Sequence, residues 1–99
     1  MAGAGSPEEL EVLLEDALIL QDGAAIACLY DEQGVVINEA GCVQRHDALR
    51  LLSPLRFLAL PRSVSVVRDV AVVVGDHTVN VSCRGDDGGW RYVVTLVTS

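Results

Sequence analysis

Few side chains in this 99-residue chain could move a proton near neutral pH. His46 stands beside Asp47 and His77 beside Asp76, and a histidine held by a carboxylate is a common acid–base pair. Adjacency works against such pairing. Neighbours on a helix point about 100° apart, and Asp76-His77 follows Gly75 in a turn-like stretch. Asp47 therefore reads as a residue that helps a helix start, and Asp76 as one that shapes a turn. The sequence holds no H-x-x-x-H, no H-E-x-x-H and no cysteine pair at ligand spacing, so neither a metal nor another cofactor is expected. It also lacks the G-x-S-x-G of a serine hydrolase and the G-x-x-x-x-G-K of a phosphate-binding loop. The glycine-rich stretch Gly85-Asp86-Asp87-Gly88-Gly89 carries acids that would repel phosphate.

Polar groups set among apolar neighbours remain, the usual lining of a small-ligand pocket: Tyr30, Asn38, Asn80, Ser82 and Tyr92. Each also has a purely structural reading. The tyrosines can anchor the edge of a core through a ring and one hydrogen bond, and Asn80 with Ser82 can lie on a wet or dimeric sheet face. Cys28, Cys42 and Cys83 are odd in number and lack C-x-x-C spacing, which suits small buried hydrophobes. The start, Met1-Ala-Gly-Ala-Gly-Ser6, has no basic and apolar leader pattern, so a reduced, cytoplasmic location is expected.

These residues need elements to place them. Residues 1–5 are small and read as a flexible N-terminus, ahead of a single domain over residues 6–99. Ser6-Pro7-Glu8-Glu9 combines an N-cap, a proline at the first helical position and a glutamate at the third. Leu10, Leu13, Leu14, Ala17, Leu18 and Gln21 continue with helical spacing, which puts Glu8, Glu11 and Glu15 on the solvent side. Asp22-Gly23 ends that helix, and Asp22 can cap a second one over Ala24–Tyr30. Val35–Asn38 reads as a short strand, Ala40-Gly41 as its reversal and Cys42-Val43 as the return. A third helix is expected over Arg45–Ser53, stopped by Pro54. Three β-branched runs follow, Val64–Val74, His77–Arg84 and Trp90–Val97, separated by Gly-Asp signals, and they predict an antiparallel meander. In the middle run Val79, Val81 and Cys83 alternate with Thr78, Asn80, Ser82 and Arg84, so one sheet face is apolar and the other polar. Helices first and sheet afterwards spell an α+β fold.

The net charge is −7, and the seven basic residues are spread from Arg45 to Arg91, which argues against nucleic acid and against an anionic membrane surface. No run approaches the ~18 apolar residues that span a bilayer. At 51% hydrophobic residues the chain has more apolar surface than one small core hides. A homodimer packing sheet against sheet is expected from this. The lysine-free, Ala-, Gly- and Val-rich composition suggests a bacterial, GC-rich source.

Asp22-Gly23, Leu29-Tyr30-Asp31-Glu32, Arg45-His46-Asp47-Ala48-Leu49 and Gly89-Trp90-Arg91-Tyr92 occur in this order along the chain. The arrangement resembles the nuclear transport factor 2-like superfamily, in particular its SnoaL-like and ketosteroid-isomerase-like members, over nearly the whole chain. The resemblance implies N-terminal helices packed in the concave face of a curved antiparallel sheet, a cystatin-like cone with a pocket inside. It also implies a convex face often used for dimerisation. Only Leu55–Ser63 separate the third helix from the meander, fewer residues than relatives spend there, so the cone is expected to be shallow.

Fold alone does not choose the chemistry, since such proteins include isomerases, cyclases and pure binders. The isomerase branch uses a carboxylate base at the end of the first strand, a tyrosine on the first helix and a protonated aspartate on a late strand. The resemblance sets Asn38 where the base would be, Asn80 near the late acid, and Leu14 or a neighbour in place of the tyrosine. An amide cannot accept a proton near neutral pH. Glu39, one residue on, points to the other face of a strand and reads as an exposed hairpin residue. The expected function is a small ligand-binding or accessory module, holding an apolar molecule without turnover. The alternative is an isomerase, cyclase or dehydratase that transfers protons on a polycyclic or polyketide-like substrate.

Overall fold

The computed structural model describes residues 3–53 and 63–98. Helix α1 runs over Pro7–Ile19, and the Ser6 hydroxyl accepts the Glu9 N–H at 3.1 Å, the cap its sequence predicts. The helix closes with Gln21 in the left-handed region (φ 52°). The Gln21 N–H bonds the Leu18 carbonyl at 3.1 Å and the Asp22 N–H that of Ala17 at 2.9 Å, a Schellman closure. The Asp22 carboxylate then accepts the Ala25 N–H at 3.0 Å and starts α2, Gly23–Cys28.

Strand β1 covers Tyr30–Asn38 and is longer than predicted, because Tyr30 already pairs with the last strand before an irregularity delays regular pairing until Val35. Asn38 ends it: its Oδ1 accepts the Ala40 and Gly41 N–H groups at 2.9 and 3.1 Å, and Gly41 takes a φ of 149° that disfavours any other residue. Strand β2 is Gly41–Gln44. The expected third helix is a single 3-10 turn, Arg45–Asp47, followed by α3, Ala48–Leu52; Pro54 lies outside the described residues. The run over Val64–Val74 is two strands rather than one. β3 (Ser63–Val67) and β4 (Val70–Val74) fold back at Arg68-Asp69, where Arg68 has a φ of 55°. Strands β5 (Thr78–Arg84) and β6 (Trp90–Val97) complete the meander.

Among the described residues the sheet has six strands, in the order β2-β1-β6-β5-β4-β3. All pairs are antiparallel except β1 with β6, which joins the first strand of the chain to the last in parallel. The helices pack on one face of this sheet, where Leu10, Leu14, Leu18, Ile26 and Leu52 meet Val36, Ala71, Trp90 and Tyr92 in one core. Ala4, inside the stretch read as flexible, is buried: its backbone exchanges hydrogen bonds with Trp90 and pins the N-terminal arm to β6. Solvent exposure corrects the sequence reading at five residues. Cys28 and Cys42 are exposed and Cys83 is half-buried, so the cysteines do not form part of the core. Leu13 is 37% exposed, and Glu11, expected in solvent, is 5% exposed.

Candidate functional site

Strand registers line up two sets of side chains. On the helix-covered face, Val36, Thr95, Asn80 and Val73 lie in one row across β1, β6, β5 and β4, and Tyr30, Tyr92, Ser82 and Ala71 in another; all are buried. The opposite face presents Val35, Val94, Val81 and Val72, beside Ile37, Leu96, Val79 and Val74. An antiparallel sheet covered on one side ordinarily keeps its polar residues outside. Here β5 does the reverse: Thr78, Asn80 and Ser82 point inward, and Val79, Val81 and Cys83 outward.

The inward polar groups satisfy one another. Glu11 projects from α1 onto the sheet, where its carboxylate accepts from the Tyr92 hydroxyl in a very short contact and from the Asn80 amide nitrogen at 3.0 Å. The Asn80 carbonyl oxygen accepts from the Thr95 hydroxyl at 2.7 Å, and Thr95 meets the Tyr30 hydroxyl at 2.5 Å. The two tyrosine rings sit 5.1 Å apart at a 46° tilt. A hydrogen-bonded buried network of this kind fixes the position of each member, because any unpaired group would bear its full desolvation cost.

Electrostatics follow from the burial. Glu11 has its pKa raised, chiefly by desolvation, although the bonds from Tyr92 and Asn80 oppose the shift. Tyr92 and Tyr30 are held protonated well past the usual phenol range, first by desolvation and further by the nearby Glu11 charge. Glu15, one helical turn after Glu11, has a buried Oε2 without a hydrogen-bond partner among the described residues.

Of the residues singled out from sequence, Tyr30, Asn80 and Tyr92 come together around Glu11. Ser82 is buried beside them, paired in register with Tyr92. Asn38 stands apart, its side-chain oxygen committed to the hairpin turn. Glu39 is exposed. The His46 Nε2 lies 3.5 Å from Asp47 on the surface, away from this network, and the exposed His77 offers its backbone carbonyl to Thr98. Among the described residues no three histidine, cysteine or acidic side chains gather as metal ligands would. Sequence reasoning missed Glu11 and Thr95. The signal for Glu11 was its place three residues before Leu14 and seven before Leu18, on the apolar stripe of α1 rather than opposite it.

No protein-family model matches the chain, and no curated protein matches it in sequence. Solved structures do match in shape. A nuclear transport factor 2-like protein from Cytophaga hutchinsonii is 18% identical with a TM-score of 0.67, over 91% of this chain and 92% of that one. A ketosteroid-isomerase-like protein from Parabacteroides distasonis is 20% identical with a TM-score of 0.64, over 93% and 86%. A candidate calcium/calmodulin-dependent protein kinase type II association domain from Thiobacillus denitrificans is 16% identical with a TM-score of 0.75, over the whole of both chains. The chain therefore has the cystatin-like cone fold of nuclear transport factor 2-like proteins.

Proposed function

We propose that this cone is a small-molecule binding module without turnover, in which Glu11, Asn80, Tyr92, Thr95 and Tyr30 form the polar floor that receives the head of an otherwise apolar ligand. One observation carries the reading: each hydroxyl in the network is engaged by another member, so the tyrosines are committed to the protein rather than held ready for a reacting oxygen. Catalysis on a carbonyl substrate wants free donors aimed at developing negative charge. Asn38, which the resemblance sets at the base position, serves the hairpin. The second reading, proton transfer on a polycyclic or polyketide-like substrate, draws on a different observation: Glu11 is a buried acid with a raised pKa, a property of general bases.

Double-bond migration in a β,γ-unsaturated ketone separates the two. The binding reading expects wild type and Glu11→Gln to be equally inactive, while a screen of apolar compounds by thermal shift finds ligands for the wild type. Turnover by the wild type that is lost in Glu11→Gln would decide for the enzyme.

The module is further proposed to work as a homodimer closed through its aliphatic outer sheet face, the surface the inverted pattern of β5 leaves open. Val74 and Leu96 on that face are each 40% exposed.

A further inference from the structure

We infer that the outward face of α1 is a docking surface for a cationic amphipathic helix of another protein. A helix packed on a core by one stripe ordinarily turns charged and polar side chains to water. α1 keeps large aliphatic groups there as well. Val12 is 46% exposed, and Ile19 and Leu20 at the C-terminal end are 71% and 75% exposed. Helical spacing gathers them on one side. Ile19 follows Val12 by about two turns, and Leu20, which keeps right-handed helical geometry as the C-cap, ends the i, i+4 row Glu8, Val12, Asp16, Leu20. That row is exposed along its whole length and alternates carboxylate with aliphatic side chain, and Glu9 is exposed beside it.

Charge chooses the occupant. Glu8, Glu9 and Asp16 enter no ion pair among the described residues, and no lysine or arginine precedes Arg45 in the chain. The last turn of α1 carries no basic residue either, so the negative end of its dipole has no cation from its own helix. A second copy laid on this face would bring two sets of carboxylates together without a cation between them. Anionic lipid and nucleic acid are repelled for the same reason. A helix with leucines on one stripe and lysines or arginines along its borders meets both features of the row. Its aliphatic groups cover Val12, Ile19 and Leu20, and its cations reach Glu8 and Asp16, ~12 Å apart at 1.5 Å per residue.

The probe is a fluorescein-labelled peptide of leucine and lysine in the pattern of an amphipathic helix, set against a scrambled peptide of the same composition, each titrated with the protein by fluorescence anisotropy at ~0.15 M salt. The patterned peptide is expected to bind at least tenfold more tightly than the scramble. Ile19→Ser with Leu20→Ser, and Glu8→Gln with Asp16→Asn, are each expected to weaken it by tenfold or more. All four side chains are exposed, which keeps the fold out of the comparison. Two controls remove similar groups elsewhere: Val67→Ser, at a site 72% exposed on β3, and Glu32→Gln with Glu39→Gln, both exposed. Each should change binding less than twofold. Equal binding of the two peptides, or equal losses in the α1 and control variants, would reduce the contact to unspecific charge attraction and overturn the inference. Absence of binding to the wild type overturns it as well. A wild-type dimer that light scattering shows to be lost in Ile19→Ser with Leu20→Ser would assign the face to a second copy instead, and overturns it too.

Discussion

A buried carboxyl group makes folding depend on pH, and Glu11 fixes the sign of that dependence. Its folded pKa lies above the ordinary 4.5, so the folded chain keeps this proton longer than the unfolded chain does. Between pH 4.5 and the raised value the folded state binds more protons, and stability falls as pH rises through that window. Asp87 acts in the opposite sense. Its hydrogen bonds from Arg91 hold it at about 2, so its contribution is present above the ordinary 3.8 and is lost as pH falls toward 2. Urea midpoints measured from pH 4 to 8 are expected to decline for the wild type and to flatten in Glu11→Gln; parallel curves would mean that Glu11 is not the titrating group. Tyr92→Phe removes one of the two donors to Glu11 Oε2 and leaves that buried oxygen with the Asn80 amide alone. It should destabilise the fold by about 1–3 kcal/mol and steepen the same pH dependence, as read from the same urea curves.

Local signals at the scale of elements were strong, and they were legible wherever a side chain acts on its own backbone. Ser6 and Asp22 cap the helices that their sequence positions predict, and Asn38 with Gly41 makes the hairpin. Ser6→Ala should lower stability by about 0.5–2 kcal/mol, which denaturant melts would register as a lower midpoint; an unmoved midpoint would count against the cap. Partnerships between distant segments were not legible. The stripe of α1 can turn Glu11 inward, but the partners that receive it, Asn80 and Tyr92, lie 69 and 81 residues on, and the helical rhythm carries no trace of them. The same limit applies to the run Val64–Val74, whose composition is uniformly strand-like. Its break at Arg68-Asp69 is held by Arg84, which bonds the Asp69 carbonyl and carboxylate from β5. The N-terminal arm is likewise set from afar. A Cβ on Gly89 would run into the backbone of Gly3, so Gly89→Ala is expected to release Ala4 from Trp90, seen as faster amide exchange at Trp90.

For the molecule as a whole, the inverted sheet raises the question of what covers the outer face. Rows of valine, isoleucine and leucine cross β1, β6, β5 and β4 there, and among them Val70, Val74 and Leu96 are 43%, 40% and 40% exposed. The network on the inner face explains why the polar residues of β5 turned inward, yet it gives no outlet for the aliphatic residues they displaced. A contiguous apolar patch on a chain of 10.5 kDa is costly to leave in water, and a second copy presents the same uncharged rows about a two-fold axis. Stable interfaces bury about 800 Å² per partner, and the centre of such a contact would fall on Val81 and Val94, which face each other across β5 and β6. Multi-angle light scattering at micromolar concentration is expected to give twice the 10.5 kDa of one chain. Val81→Asp should shift it to monomer, because each copy would then bury an unpaired charge against the other. A wild-type chain that remains at 10.5 kDa as concentration rises would rule out self-association through this face and leave its aliphatic rows for a different partner.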